Sequence, residues 1–276
     1  MMDEPITRRL FLALPAAALA AGCAITPPGL RGSNSAQLRF VFNLNGPVDP
    51  GYLYVVAIRV LNPPYPGTST ELTDPSQGPI PVVTTGSKNG IVQGLPTHYV
   101  FYTESTPNLY QVYRFLSAAE LPDPSDPSTP INLAWPGQYV GDVIVGSGID
   151  PRPTIAGGAY GNQLGFTIDT SYLDYFSTNK TGPNNGIVSI QFNILTMNLP
   201  ATSTSNVDFP RVIDAIGNQS SVAGIFNNPV LVDIVSQTVT DDTAGVHENS
   251  GDTYPGGQNL PSVDLISPWS LSITAP

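Results

Sequence analysis

The sequence predicts an all-β protein, an antiparallel β-sandwich of immunoglobulin-like or jelly-roll-like kind with long loops rich in proline and glycine. Three observations carry that prediction. Apolar residues recur with a period of two, not three and a half. Runs of β-branched and aromatic residues are separated by Gly/Pro turn signals at regular spacing. No amphipathic helix of four turns occurs. Gly and Pro supply 55 of 276 residues, a share that would suit disorder, but a hydrophobic content of 41% and the regular β-rich runs indicate a folded domain.

The elements follow in order. In Gln37 to Leu44, Leu38, Phe40, Phe42 and Leu44 share one face. Tyr52 to Val60 is continuous and β-branched, as a central strand should be. Tyr99 to Tyr102 and Leu109 to Phe115 come next, then Gln138 to Val145, Gln163 to Ile168, Ile187 to Met197, Val230 to Val239 and Ser262 to Ile273. Gly46-Pro47, Asn62-Pro63-Pro64, Pro107-Asn108 and residues 182–186 are turns between them. Ser171 to Phe176 and Ser117 to Leu121 each have room for one helical turn. The stretch from Pro122 to Pro130 is either a linker or a long surface loop; neither flank alone holds a complete set of strands. Residues 37–276 are therefore expected to be a single sandwich domain.

The front of the chain reads differently. Met1 to Thr7 is short and polar, Arg8 and Arg9 bring positive charge, and Leu10 to Ala21 is apolar. That run falls short of the roughly 20 residues a membrane-spanning helix needs. A charged start, a short apolar core and small residues at its end make a secretory signal, here residues 1–22. Residues 23–36, with Pro, Gly and Ser, read as a short tether.

Two motifs give that front end resemblances. Leu19-Ala20-Ala21-Gly22-Cys23 resembles the lipobox of bacterial lipoproteins, and the single cysteine of the chain stands at its last position. Thr7-Arg8-Arg9-Leu10-Phe11-Leu12 is similar to the twin-arginine (Tat) export motif, with Arg8 and Arg9 as the receptor-read pair. The resemblance implies lipid on Cys23, a membrane link through that lipid, and a place at the cell envelope on the periplasmic or outer face. With Cys23 acylated no disulfide can form. The whole chain resembles uncharacterised β-rich bacterial lipoproteins. Phe40 to Pro47 with Gly51 to Ile58, Asn162 to Leu173, and Ser250 to Pro255 with Val263 to Leu265 resemble the sandwiches of the DOMON and family-9 carbohydrate-binding superfamily. That second resemblance implies a carbohydrate-binding-like module.

Charge narrows the functions. Without residues 1–22 the chain keeps 8 basic and 19 acidic residues, a net of -11. An acidic chain with no basic cluster is a poor nucleic-acid binder, because phosphates demand Lys and Arg. Serine-hydrolase chemistry needs a positioned base, and the two histidines, His98 and His247, stand beside no nucleophile elbow. A glycosidase needs two facing carboxylates, and after residue 22 only Glu71, Glu104, Glu120 and Glu248 join the turn-bound aspartates. The leading expectation is an exported, lipid-anchored binding or structural protein at the envelope, for a carbohydrate or a surface protein. An envelope-anchored, glycosidase-like hydrolase using Asp and Glu is the alternative.

Three sets of residues are the candidate sites. No cofactor is expected, and with no usable cysteine and no close histidine pair a zinc site is not expected either. The segment from Asp241 to Asp252 holds four acids, Asp241, Asp242, Glu248 and Asp252, and is either a solvated acidic loop or a calcium site. Tyr52, Tyr54, Tyr99, Phe101, Tyr102, Tyr110, Tyr113 and Phe115 crowd one stretch of strands. They are core and ladder packing or, at Tyr52, Tyr54 and Tyr102, a platform for sugar faces. Trp135, before Pro136-Gly137, is the expected exposed ring. Trp269 alternates with Leu271 and Ile273 and is expected in the core.

Overall fold

In the computed structural model, the residues described are 35–61, 78–81, 92–93, 96–102, 104, 109–115, 137–144, 146–173, 187–198, 212–216, 229–248 and 261–276. The signal and tether residues with Arg8, Arg9 and Cys23, the segment from Ser117 to Pro130, Trp135 and Asp252 lie outside them. The chain is an all-β sandwich of two antiparallel sheets, neither closed into a barrel.

The strands are β1 Gln37–Leu44, β2 Tyr52–Leu61, β3 Ile80–Pro81, β4 Val92–Gln93, β5 His98–Tyr102, β6 Tyr110–Phe115, β7 Gly137–Asp142, β8 Gln163–Asp169, β9 Ser189–Asn198, β10 Val212–Ala215, β11 Val230–Asp233, β12 Gln237–Thr240 and β13 Leu265–Thr274. The first sheet runs β12-β13-β1-β8, and the second β10-β9-β2-β5-β6-β7. β11 also pairs with β9, along the half that β10 leaves open. β3 and β4 form a small ribbon of their own.

In β1 and β13 of the first sheet the period of two holds. Leu38, Phe40, Phe42 and Leu44 are buried while Arg39 points to water. β13 does the same with Trp269, Leu271 and Ile273. The β1–β13 register shifts between Val41 and Asn43, opposite Pro268. Proline has no N–H for a ladder, so an irregularity is where a strand can hold it.

The inner faces meet at interlocked rings. Phe192 of β9 stands edge-on to Phe40, centroids 5.2 Å apart, and to Trp269, 5.7 Å apart. Tyr110 of β6 meets Phe166 of β8 at 5.2 Å. Edge-to-face pairs of this kind add to the burial of their apolar area. The main core thus draws on both sheets, from Leu38 to Ile273.

The second sheet is different, because β2 and β9 are buried on both faces. Tyr54, Val56 and Ile58 face the main core; Leu53, Val55 and Ala57 belong to a second apolar cluster on the opposite face, with Tyr99, Phe115, Leu195 and Met197. Segment 78–81 covers part of that outer face, where the Asn193 amide donates to the Pro79 carbonyl.

Two elements depart from expectation. The Val230–Val239 run is not one strand. It breaks at Ile234–Ser236, where the Val235 N–H donates back to the Asp233 carbonyl, and its halves join different sheets. The acidic segment does not begin as a loop. Asp241–Ala244 form one helical turn, α1. The turn expected after β8 is present as a 3-10 turn over Thr170–Leu173, capped by Asp169, which accepts from the Ser171 N–H.

Candidate functional site

The aromatic residues of β5, β6 and β7 divide by parity. Tyr102 and Tyr110 belong to the main core, as does Tyr54 of β2, and Tyr52 packs against it. Tyr54 and Tyr102 are 1% and 3% exposed, so neither has a ring face free to stack on a sugar. The platform placed at Tyr52, Tyr54 and Tyr102 is therefore corrected. These side chains sit on the inward face of the strands and serve the core.

The opposite parity carries rings to the outer face. Register aligns Tyr99, Tyr113 and Tyr139 across three strands. Tyr99 stacks on Tyr113 at 5.4 Å with 13° between planes, and Phe101 meets Tyr113 at 5.3 Å. Tyr139 closes the row edge-on at 5.5 Å and is 48% exposed. The next row is Phe101, Gln111 and Asp142. The Tyr113 hydroxyl donates to Gln111 Oε1 at 3.4 Å. Burial, then a hydrogen bond and the negative charge of Asp142, pushes the Tyr139 hydroxyl up to about 12. The arrangement is a strip of rings with an amide and a carboxylate at its margin. Such a strip stacks on a flat apolar face and hydrogen-bonds the polar groups around it.

A second polar group gathers near the loop between β7 and β8. The Tyr102 hydroxyl donates to Glu104 at 3.3 Å, and Tyr160 also hydrogen-bonds Glu104. Arg152 grips Asp150 with both ends of its guanidinium, at 2.7 to 3.1 Å. The Arg152 hydrogen bond lowers the Asp150 carboxyl below its ordinary range. The loop is fastened beneath by the Tyr110 hydroxyl, which donates to the Ile149 carbonyl.

The third group is on α1. Thr240 caps the turn, exchanging hydrogen bonds with Thr243, and Gly245, at φ 65°, ends it in the left-handed conformation. The reversal brings His247 back to the first turn. Its Nδ1 lies 3.5 Å from Asp241 and 3.8 Å from Asp242. β13 holds the return segment, since Trp269 Nε1 donates to the Val246 carbonyl and the Glu248 N–H donates to Ser267. Among the described residues the acids group with a histidine. Glu248 is buried and does not join the group, and His247 takes its place.

His247 and Tyr139 did not stand among the sequence-derived site residues, and Tyr99, Phe101 and Tyr113 stood in the aromatic set but not among the three platform residues. A capping threonine and a stop glycine around Asp241-Asp242 were the available signal for His247. Nothing local marked which parity of an all-apolar run such as Tyr99-Val100-Phe101-Tyr102 faces out. His98, the other histidine, is buried against Thr97 in the sheet. No helix among the described residues is long and apolar enough to cross a membrane. The chain matches no family model, no curated protein and no solved structure.

Proposed function

We propose that the protein is an exported, lipid-anchored sandwich of the cell envelope whose role is binding, with the outer strip of Phe101, Tyr113 and Tyr139 as its ligand-facing surface and a carbohydrate as the ligand class. The observation that supports the binding role is the ring row itself. A half-exposed tyrosine continues a stack of aromatic side chains, with Gln111 and Asp142 beside it. Sugars present flat C–H faces to rings and hydroxyls to amides and carboxylates, and rigid rings lose little entropy on binding. The address rests on the lipobox-like run ending in Cys23 and on the Arg8-Arg9 pair.

The experiment is a glycan array probed with the full chain in detergent, beside the Tyr139→Ala variant. Tyr139 is exposed enough to be removed without opening the core. Selective binding that falls about tenfold or more in the variant, the usual scale for losing one stacking contact of 1–3 kcal/mol, supports the reading. Binding that Tyr139→Ala leaves intact moves the site elsewhere, and an array with no selective signal rejects the ligand class. The anchor is tested separately. Cys23→Ser should abolish lipid labelling, and labelling that persists would reject it.

A further inference from the structure

We propose that Asp241, Asp242 and His247 form a surface site for a first-row transition-metal ion of the zinc type, with water completing its coordination. The site is independent of the ring strip and of the anchor.

Geometry is the first argument. One imidazole nitrogen and one oxygen from each carboxylate lie within 4.8 Å of one another. The 3.5 and 3.8 Å from Nδ1 to the two carboxylates are long for hydrogen bonds. They suit a shared ion, because two ligands about 2.1 Å from a tetrahedral zinc stand about 3.4 Å apart. The second argument is the state of Asp241. The residue is 6% exposed, and His247 Nδ1 stands 3.5 Å from its carboxylate. A carboxylate removed from water needs hydrogen bonds or a cation close by. One Asp241 oxygen faces the space shared with Asp242 and His247.

Ligand type decides which ion. Calcium takes six to eight oxygen ligands, and an imidazole is foreign to that shell. Imidazole suits zinc, copper and nickel, with carboxylates as partners. The ligands are also held in place before any ion arrives. The Thr240 cap fixes Asp241 and Asp242, and Trp269 and Ser267 fix the segment that returns through His247. Three protein ligands with open positions is the pattern of an accessible zinc site, not a closed structural one.

The test uses the untagged full chain carrying Cys23→Ser, which removes the single thiol as a rival ligand. Zinc is titrated calorimetrically at neutral pH, against a chelator of known affinity, in His247→Gln, Asp242→Asn and the parent. His247 and Asp242 are exposed, so both variants should fold. The expected result is one zinc per chain, bound about tenfold or more weakly in each variant, with calcium failing to displace it. No saturable zinc binding in the parent overturns the proposal. Zinc binding unchanged in His247→Gln, or calcium competing on equal terms, overturns it as well.

Discussion

The central strands of the two sheets solve the burial problem in opposite ways. β1 and β13 of the first sheet bury one face and wet the other, and their sequences alternate accordingly. β2 and β9 of the second sheet are buried on both faces and read as continuous apolar runs. A sheet with a wet face keeps its side chains in register through the water itself, since a one-residue slip would turn Phe40 outward and Arg39 inward. A sheet covered twice lacks that safeguard, and its register rests on ring pairs and buried polar contacts. The Arg59 guanidinium donates to Gln191 Oε1 between the two central strands, and Asn193 reaches Pro79. The doubly covered sheet is also the one whose uncovered margin carries the ring strip, so packing and proposed binding share one surface.

Neighbouring residues can be deleted to break this contrast. Phe40→Ala removes a ring wedged between Phe166 and Phe192, and should cost about 3–5 kcal/mol in urea denaturation. On β9, Ile194→Ala and Leu195→Ala should each cost about 2–5 kcal/mol, although the two side chains point to opposite faces. If Leu195→Ala were near neutral, the outer cluster would not be a core. At the other end of the scale, Arg39→Ala beside Phe40 should stay within about 0.5 kcal/mol.

Between those extremes stands an alkaline test that samples both faces at once. Burial holds the hydroxyls of inward Tyr54 and Tyr110 and of outward Tyr99 well above the ordinary tyrosine value of 10. Above pH 10 the folded chain keeps these protons and the unfolded chain sheds them. Stability then falls with rising pH, by about 1.4 kcal/mol per pH unit for each such tyrosine. Ultraviolet titration should show Tyr139 ionising near pH 12, and Tyr54, Tyr99 and Tyr110 only as the chain unfolds. A single step near pH 10 for all of them, with unchanged stability, would show the outer cluster and the inner core to be open to solvent.

How much of this was legible in the sequence follows the same contrast. β1 and β13 could be read with their faces assigned, because Arg39, Ser270 and Ser272 mark the wet side. β2 was readable as a central strand from its unbroken apolar run, but not which of Tyr54 and Val55 faced the main core. The aromatic site was missed for that reason. Where both faces are buried, periodicity carries no sign. The break inside Val230–Val239 was hidden because Val232, Ile234 and Val239 keep an apolar run going through a turn that only Ser236 hints at. β10 is too short for any period to show. At α1 the segment read as a loop or a calcium site, and that Thr240 and Gly245 fold His247 back onto Asp241 is a fact of three dimensions.

The pairing of β1 with β13 has a consequence for how the molecule is made. Asn45 at the end of β1 meets Asp264 just before β13, and the two are 219 residues apart. As the chain leaves the ribosome, β1 stands without either neighbour until β8 and then β13 have followed it. Contacts so distant close slowly, since loop entropy must be overcome before they contribute. During that interval β1 exposes both an unpaired edge and the Leu38–Phe40–Phe42–Leu44 face, the combination that draws one chain onto another. The first sheet, simpler to read than its partner, is thus the later to form, and its assembly is the stage at which a nascent chain is most open to aggregation.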